Sequence, residues 1–315
     1  MCSARLSLLK SAHHNYLCRV AKEAYMRIWQ VFVTACSLSM AASTVIAQQT
    51  TSLQDIKRNN PPSPRYKLVW ADEFDKDGQS DPCNWTYERG FVRNEELQWY
   101  QPDNARCEKG LLVIEARRER KQNPNYDPNS GNWKKNREYS EYTSASVTTR
   151  GLHNWMYGRF EMRGRIDTHP GLWPAFWTLG VEGRWPSSGE IDIMEYYQGM
   201  LLANAAWAAE KPGVAGWDDA KIPITDFNDP DWSMKFHLWR MDWDVNSIKL
   251  YVDERLLNTI DLQKTFNKDK QGRNPFRQPH YIILNLAVGG ESGGDPSNTK
   301  FPAKFEIDYV RVYRL

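Results

Sequence analysis

Gly189-Glu190-Ile191-Asp192-Ile193-Met194-Glu195-Tyr196-Tyr197 places three carboxylates within six residues, with apolar side chains between them. On a helix, steps of two and five residues from Glu190 turn the side chain by about 200° and 140°, so no single face holds all three. On a regular strand Glu190 and Asp192 share a face and Glu195 points away. One extra residue at Ile193-Met194, a β-bulge, shifts the parity and returns Glu195 to that face. The spacing therefore predicts a bulged strand, apolar on one side and acidic on the other. Bulges of this kind recur beside active sites.

Acids held this close raise the pKa of at least one member. Glycoside hydrolysis needs that state, one ionised carboxylate beside one still protonated near neutral pH. Two other readings fit the same residues: a calcium site, which takes several oxygens, and a solvated acidic strand. Ile and Met between the acids favour a strand packed on its other face.

Outward from this segment the pattern stays β. Runs rich in β-branched and aromatic residues cover 111–116, 143–149, 157–166, 235–243, 248–252, 281–288 and 305–313, separated by Gly, Pro, Asn and Asp. Asp253-Glu254-Arg255, between two such runs, reads as a hairpin. No 3.6-residue apolar period persists. Strand runs punctuated by turns predict an all-β sandwich of two antiparallel sheets. The longer loops 121–138 and 210–232 are then expected at its edges, where they shape a cleft.

Charge is balanced, 41 Lys+Arg against 39 Asp+Glu in 315 residues. That argues against a nucleic-acid or anionic-membrane partner, which calls for concentrated basic charge. Aromatics are abundant, with 14 Trp and 15 Tyr. They fit either a Trp-rich core or a surface on which sugar rings stack their C–H faces.

The N-terminal part divides into residues 1–47, an extension and signal peptide, and 48–65, a polar linker ending in Asn59-Asn60-Pro61-Pro62-Ser63-Pro64. From Met26-Arg27 an apolar stretch runs to Ala47 and a polar exit, the layout of a secretory signal. It is too short and interrupted for a membrane span. Export to the outside or the periplasm is expected, with Cys36 as an alternative lipid-anchor site. Cleavage near Ala47 leaves Cys83 and Cys107, an even pair that favours a disulfide in an exported protein. Such a bridge would restrain the unfolded chain by roughly 3 kcal/mol. Residues 66–315 read as one domain.

Glu190-Ile191-Asp192-Ile193-Met194-Glu195 resembles the active-site signature of glycoside hydrolase family 16 in its bulged form. Further matches follow in the family's order: Trp70-Ala71-Asp72-Glu73-Phe74, Asn94-Glu95-Glu96-Leu97-Gln98-Trp99-Tyr100, Tyr157-Gly158-Arg159-Phe160-Glu161, Trp173-Pro174-Ala175-Phe176-Trp177, Asn285-Leu286-Ala287-Val288-Gly289-Gly290 and Asp308-Tyr309-Val310-Arg311-Val312-Tyr313. The resemblance spans roughly residues 66–315. It implies a β-jelly roll whose concave sheet forms the substrate cleft.

The resemblance implies Glu190 as nucleophile, Glu195 as general acid/base and Asp192 as their assistant, with retention of configuration and carboxyls about 5–5.5 Å apart. Trp173, Trp177 and Trp185 are candidates for stacking sugars, each with core packing as the competing role. Asn94, Arg159, Trp99 and Asn285 are candidates for sugar contacts, and Arg159 fits a structural ion pair equally well. Many β-1,3-glucanases of the family carry a His on the next strand, where Leu202-Ala203-Asn204-Ala205-Ala206-Trp207-Ala208 offers Trp207. Trp207 is then expected against the leaving-group sugar. A structural calcium is implied at Glu73, the Gly110 carbonyl and Asp308, and catalysis needs no cofactor.

The expected activity is endo-hydrolysis of β-1,3- or mixed-linked β-glucan by a monomer acting on polysaccharide. A β-galactan substrate (agarose, carrageenan or a host glycan) is the alternative within the family. A carbohydrate-binding jelly roll without catalysis is the alternative outside enzymes. Transglycosylation needs the same residues and differs only in the acceptor.

Overall fold

Strand His237–Trp243 buries every second side chain, His237, Trp239, Met241 and Trp243, and leaves those between half-exposed. That period-two burial is the signature of a sheet with one face on a core. A computed structural model describes residues 65–270 and 272–315. The expected signal segment with its start at Met26, Cys36, and all but the last residue of the 48–65 linker lie outside the described residues.

Two antiparallel sheets carry the fold. The outer sheet has the order Arg255–Asp261, Ser247–Val252, His237–Trp243, Gly158–Ile166, Ala303–Arg314, Leu111–Ala116, Ala105–Glu108. Lys67–Asp72 also pairs with Ala303–Arg314, over Val310 to Arg314. The second sheet has the order Ala215–Pro223, Met200–Ala208, Glu190–Tyr197, Leu172–Gly180, His280–Val288, Ser146–Thr148, Thr86–Tyr87. Their inner faces form one core, which includes Phe160, Met162, Trp239 and Trp243 from the outer sheet and Phe176, Ile191, Ile282 and Leu284 from the second.

The second sheet is most deeply buried at its middle. Every residue of His280–Val288 is buried. Its outward side chains Tyr281 and Ile283 join Ala175 and Trp177 in a separate apolar cluster. That cluster floors a cleft.

Three sequence expectations are corrected. The 210–232 loop contains a nine-residue edge strand, Ala215–Pro223, paired along its length with Met200–Ala208. Its polar composition hides it, and Asp and Lys are the residues that guard an exposed sheet edge. The hairpin turn is Asp253-Glu254, since Val252 pairs with Arg255 and Asp253 has φ 52°. The Cys83–Cys107 disulfide is not formed: Cys107 is a free thiol. It faces inward from Ala105–Glu108 and packs in the core cluster, while Cys83 sits on a surface turn at 82–84.

Candidate active site

The catalytic-strand bulge is present on both sides. Glu190 pairs with Ala206, Asp192 with Asn204, and then Glu195 with Leu202, so three residues advance against two. On the other flank Trp177 pairs with Asp192 and Phe176 with Met194, which makes Ile193 the extra residue. Ile191, Ile193, Met194 and Tyr196 all lie in the core cluster. Glu190, Glu195 and Tyr197 line a cleft of about 620 Å³, and Asp192 sits beneath them at 1% exposure.

Each acid has a polar neighbour of its own. The Trp173 indole Nε1 donates to Glu195 Oε1 at 2.9 Å. Trp185, exposed at the cleft rim, stands beside Glu190 and favours its ionised form. Asn204 accepts the Ala220 amide on its Oδ1 at 3.2 Å and, as the strand partner of Asp192, favours that acid's ionised form. The second Asp192 oxygen, Oδ2, is buried with no hydrogen-bond partner among the described residues.

Burial raises all three carboxyls, and like charge adds to it. Glu190 is pushed up to about 8 by burial and then by Glu195. Glu195 is pushed up to about 7 by burial, with Glu96 adding to it and the Trp173 bond opposing it. Asp192 is raised well above the usual carboxylate range by burial and both neighbours. Acids this close lose protons as a set, so these are properties of the cluster. Glu190 and Glu195 are thus raised to a similar degree, and the cleft itself does not assign a shared proton to one of them.

One wall comes from residues 93–98. Asn94 and Glu95 have φ of 53° and 48°, a left-handed kink that turns Arg93, Asn94 and Glu96 toward the cleft. Gly290 packs directly on this kink, and a Cβ there would come within 2.6 Å of the Asn94 carbonyl oxygen. Gln98 donates to Glu96 Oε2 at 2.7 Å and accepts the Val288 amide at 2.7 Å, tying the wall to the sheet. Arg93 is paired with Glu88 and lies over the Trp177 ring, 4.9 Å from its centroid. Trp177 in turn donates to Asn285 Oδ1 at 2.7 Å, and Asn285 donates to the Tyr100 hydroxyl at 3.2 Å.

A groove floored by apolar side chains, rimmed by tryptophans and holding clustered acids is built for a sugar chain. The sequence profile of glycosyl hydrolases family 16 matches residues 108–311. The chain belongs to that family. It is a glycoside hydrolase with the family's jelly-roll fold.

Three relatives define its surroundings. A β-glucanase of Rhodothermus marinus is 36% identical over 274 residues, covering 80% of this chain and 86% of that protein. The laminarinase catalytic domain of Thermotoga maritima superposes with a TM-score of 0.66 at 34% identity, covering 79% of this chain and 98% of the other. A structure from work on endo-acting O-glycanases, expressed by prominent members of the human gut microbiota to initiate mucin breakdown, gives 0.72 at 38% identity, covering 80% and 91%.

Within this family 16 site, Asn94, Trp173, Trp177, Trp185 and Asn285 line the cleft as expected from the sequence. Trp99, Arg159 and Trp207 do not. Trp99 packs edge-on against Phe91 behind the wall. Arg159 lies on the outer sheet in a two-pronged pair with Asp242, at 2.6 and 2.9 Å. Trp207 has the parity opposite to Asn204 and packs against the core, so the position on that strand that faces Glu190 is Ala206.

At the implied calcium set the two carboxylates are engaged by arginine. Both Glu73 oxygens accept from Arg311, at 2.7 and 2.9 Å, and Asp308 Oδ2 accepts from Arg163 at 2.9 Å. The two carboxylates are thus compensated by arginine. Among the described residues no group of three His, Cys, Asp or Glu side chains could hold a metal.

Sequence reasoning missed Arg93, Glu96, Tyr197, Asn204 and Trp217. Tyr197 was within reach of it, two residues beyond Glu195 on the same face. Asn204 and Trp217 needed the strand register, and Arg93 needed the kink.

Proposed function

We propose that the protein is an endo-acting, retaining β-glycanase that hydrolyses β-1,3- or mixed-linked β-glucan by double displacement. Glu195 gives its proton to the departing glycosidic oxygen while Glu190 attacks the anomeric carbon. Glu195, now ionised, takes a proton from water, and that water releases the sugar from Glu190. Asp192 holds the cluster's charge balance from below. The observation that carries this reading is the Ile193 bulge, which turns Glu190 and Glu195 into one groove. The β-glucanase and laminarinase relatives support the glucan substrate. We further propose export through the N-terminal segment and action as a monomer.

A host-glycan β-galactan is the second reading. The O-glycanase likeness, with its higher TM-score than that of the laminarinase, favours it. So does Ala206, since the strand lacks a histidine beside Glu190. A non-catalytic binding module is disfavoured, because sugar binding alone gains nothing from three buried acids.

The test is a panel of laminarin, lichenan, agarose, carrageenan, a β-galactan and mucin O-glycans, with products sized and Glu190→Gln as control. Oligosaccharides from laminarin or lichenan support the first reading, and from the galactan or mucin glycans alone the second. A Glu190→Gln variant as active as the parent removes both.

A further inference from the structure

The edge strand of the cleft sheet carries a pattern that the acid cluster does not use. Ala215–Pro223 exposes Trp217, Asp219 and Lys221 and half-buries the residues between them. All three exposed side chains line the cleft. Each stands level with one of the acids, two strands away. Trp217 pairs with Ala206 and Ala206 with Glu190; Asp219 pairs with Asn204 and Asn204 with Asp192; Lys221 pairs with Leu202 and Leu202 with Glu195. Two strand spacings are about 10 Å. That is too far for the sugar bonded to Glu190 to meet them, and near enough for the chain that continues from it.

Aspartate and lysine alone would serve as an edge guard, but a tryptophan 45% exposed is the opposite of one. An indole left in water beside polar groups suits a sugar, whose C–H face stacks on the ring while its hydroxyls reach donors and acceptors alongside. Both are present: Lys221 Nζ lies 3.4 Å from Asp219 Oδ2. The strand that carries them is fixed from its other face. Asn258 donates to Asp218 Oδ1 at 3.1 Å and to the Ala203 carbonyl at 2.9 Å, tying Ala215–Pro223 and its neighbour to the outer sheet. A platform held by hydrogen bonds on its far side keeps its orientation.

Charge limits what the platform takes. Among the described residues lining the cleft, five are acids and two, Arg93 and Lys221, are bases. Both bases already face an acid, Arg93 with Glu88 and Lys221 with Asp219. A sulfate or carboxylate on the sugar would meet an excess of like charge, whereas a neutral sugar meets a balanced donor and acceptor.

We propose that Trp217, Asp219 and Lys221 form a subsite for an uncharged sugar ring remote from the scissile bond, through which the edge strand selects chains that run on past the acids. The inference rests on the glycanase reading above.

The test takes the panel polysaccharide that the parent hydrolyses and a ladder of oligosaccharides made from it. At each length kcat/KM and the position of the cut are read for the parent, Trp217→Ala, Trp217→Phe and Asp219→Asn. In the parent, kcat/KM should step up by roughly tenfold at the length that first reaches the platform. Trp217→Ala should lose that step and cut at shifted positions, and Trp217→Phe should keep most of it. Asp219→Asn should reduce it by about threefold.

A Trp217→Ala variant that climbs the ladder with the parent, or loses the same factor at every length, overturns the subsite and leaves Glu190 and Glu195 in their roles. Sulfated carrageenan cut faster than every neutral chain overturns the uncharged sugar. Full activity of Glu190→Gln overturns the catalytic roles themselves. Should Trp217→Ala fail to fold, Asp219→Asn carries the test, because asparagine keeps the shape and an unreduced step overturns the subsite equally.

Discussion

Replacing Glu190 by Gln should abolish activity and stabilise the fold increasingly above pH 4.5, in full above about pH 8. The folded-state carboxyl is raised from an ordinary value of 4.5 to about 8, chiefly by burial. A raised acid leaves stability intact below pH 4.5, and stability is lost as pH rises through about 8. Taken whole, a shift of that size corresponds to roughly 5 kcal/mol. Glu190 keeps part of its surface in the open cleft and shares its titration with Glu195, which reduces the figure to about 2 kcal/mol. For a domain of this size that is about 4–8 °C in Tm. Glutamine carries no charge and should escape the loss. Thermal unfolding of parent and variant, followed by circular dichroism at pH 5 and pH 9, reads the difference. Equal Tm at pH 5 and a higher Tm for the variant at pH 9 are expected. Parallel curves at the two pH values, or a less stable variant at pH 9, refute the idea that this acid is held ionised against its surroundings.

Trp173→Phe keeps a ring against Tyr197 and removes the 2.9 Å donor to Glu195. A bond to a charged acceptor contributes about 1.5 kcal/mol, so the basic limb of kcat/KM should move up by about one unit or less; an unmoved limb assigns the indole to packing alone. Arg159→Met should leave kcat/KM within about twofold and lower stability by about 1 kcal/mol, since Asp242 keeps Arg240 at 3.7 Å. A large rise in KM would return Arg159 to the cleft. Cys107, 4% exposed and pushed up to about 12, should resist iodoacetamide in the native protein and react in guanidinium, as read by mass mapping of its peptide. Native labelling within minutes contradicts the buried thiol.

The bulge was legible because side-chain parity in a strand is a two-state property. Three acids at offsets zero, two and five have one economical solution, and Ile193 supplies it. Parity also explains the errors. Arg159 and Trp207 sit on strands read correctly as strands, but nothing in their own segments says which face meets the cleft. Register against a neighbour decides that, and register is a property of two segments. The wall residues Arg93 and Glu96 were hidden for a different reason. Their direction is set by two consecutive left-handed residues, Asn94 and Glu95, in a chain stretch with no periodicity to read. The abundance of tryptophan proved to have both meanings: Trp85, Trp239 and Trp243 are fully buried, while Trp173, Trp177, Trp185 and Trp217 line the groove.

The position of Ala303–Arg314 in the outer sheet bears on how the molecule assembles. These twelve residues lie between Gly158–Ile166 on one side and Leu111–Ala116 on the other, and Lys67–Asp72 also pairs with them. That strand is therefore a keystone, and three strands that precede it in the sequence wait for it with unmatched backbone edges. Assembly should then be all-or-none and slow to start, as expected when partners lie far apart along the chain. A polypeptide released before residue 303 would carry a nearly complete cleft sheet on half a foundation, and should aggregate through those open edges rather than fold.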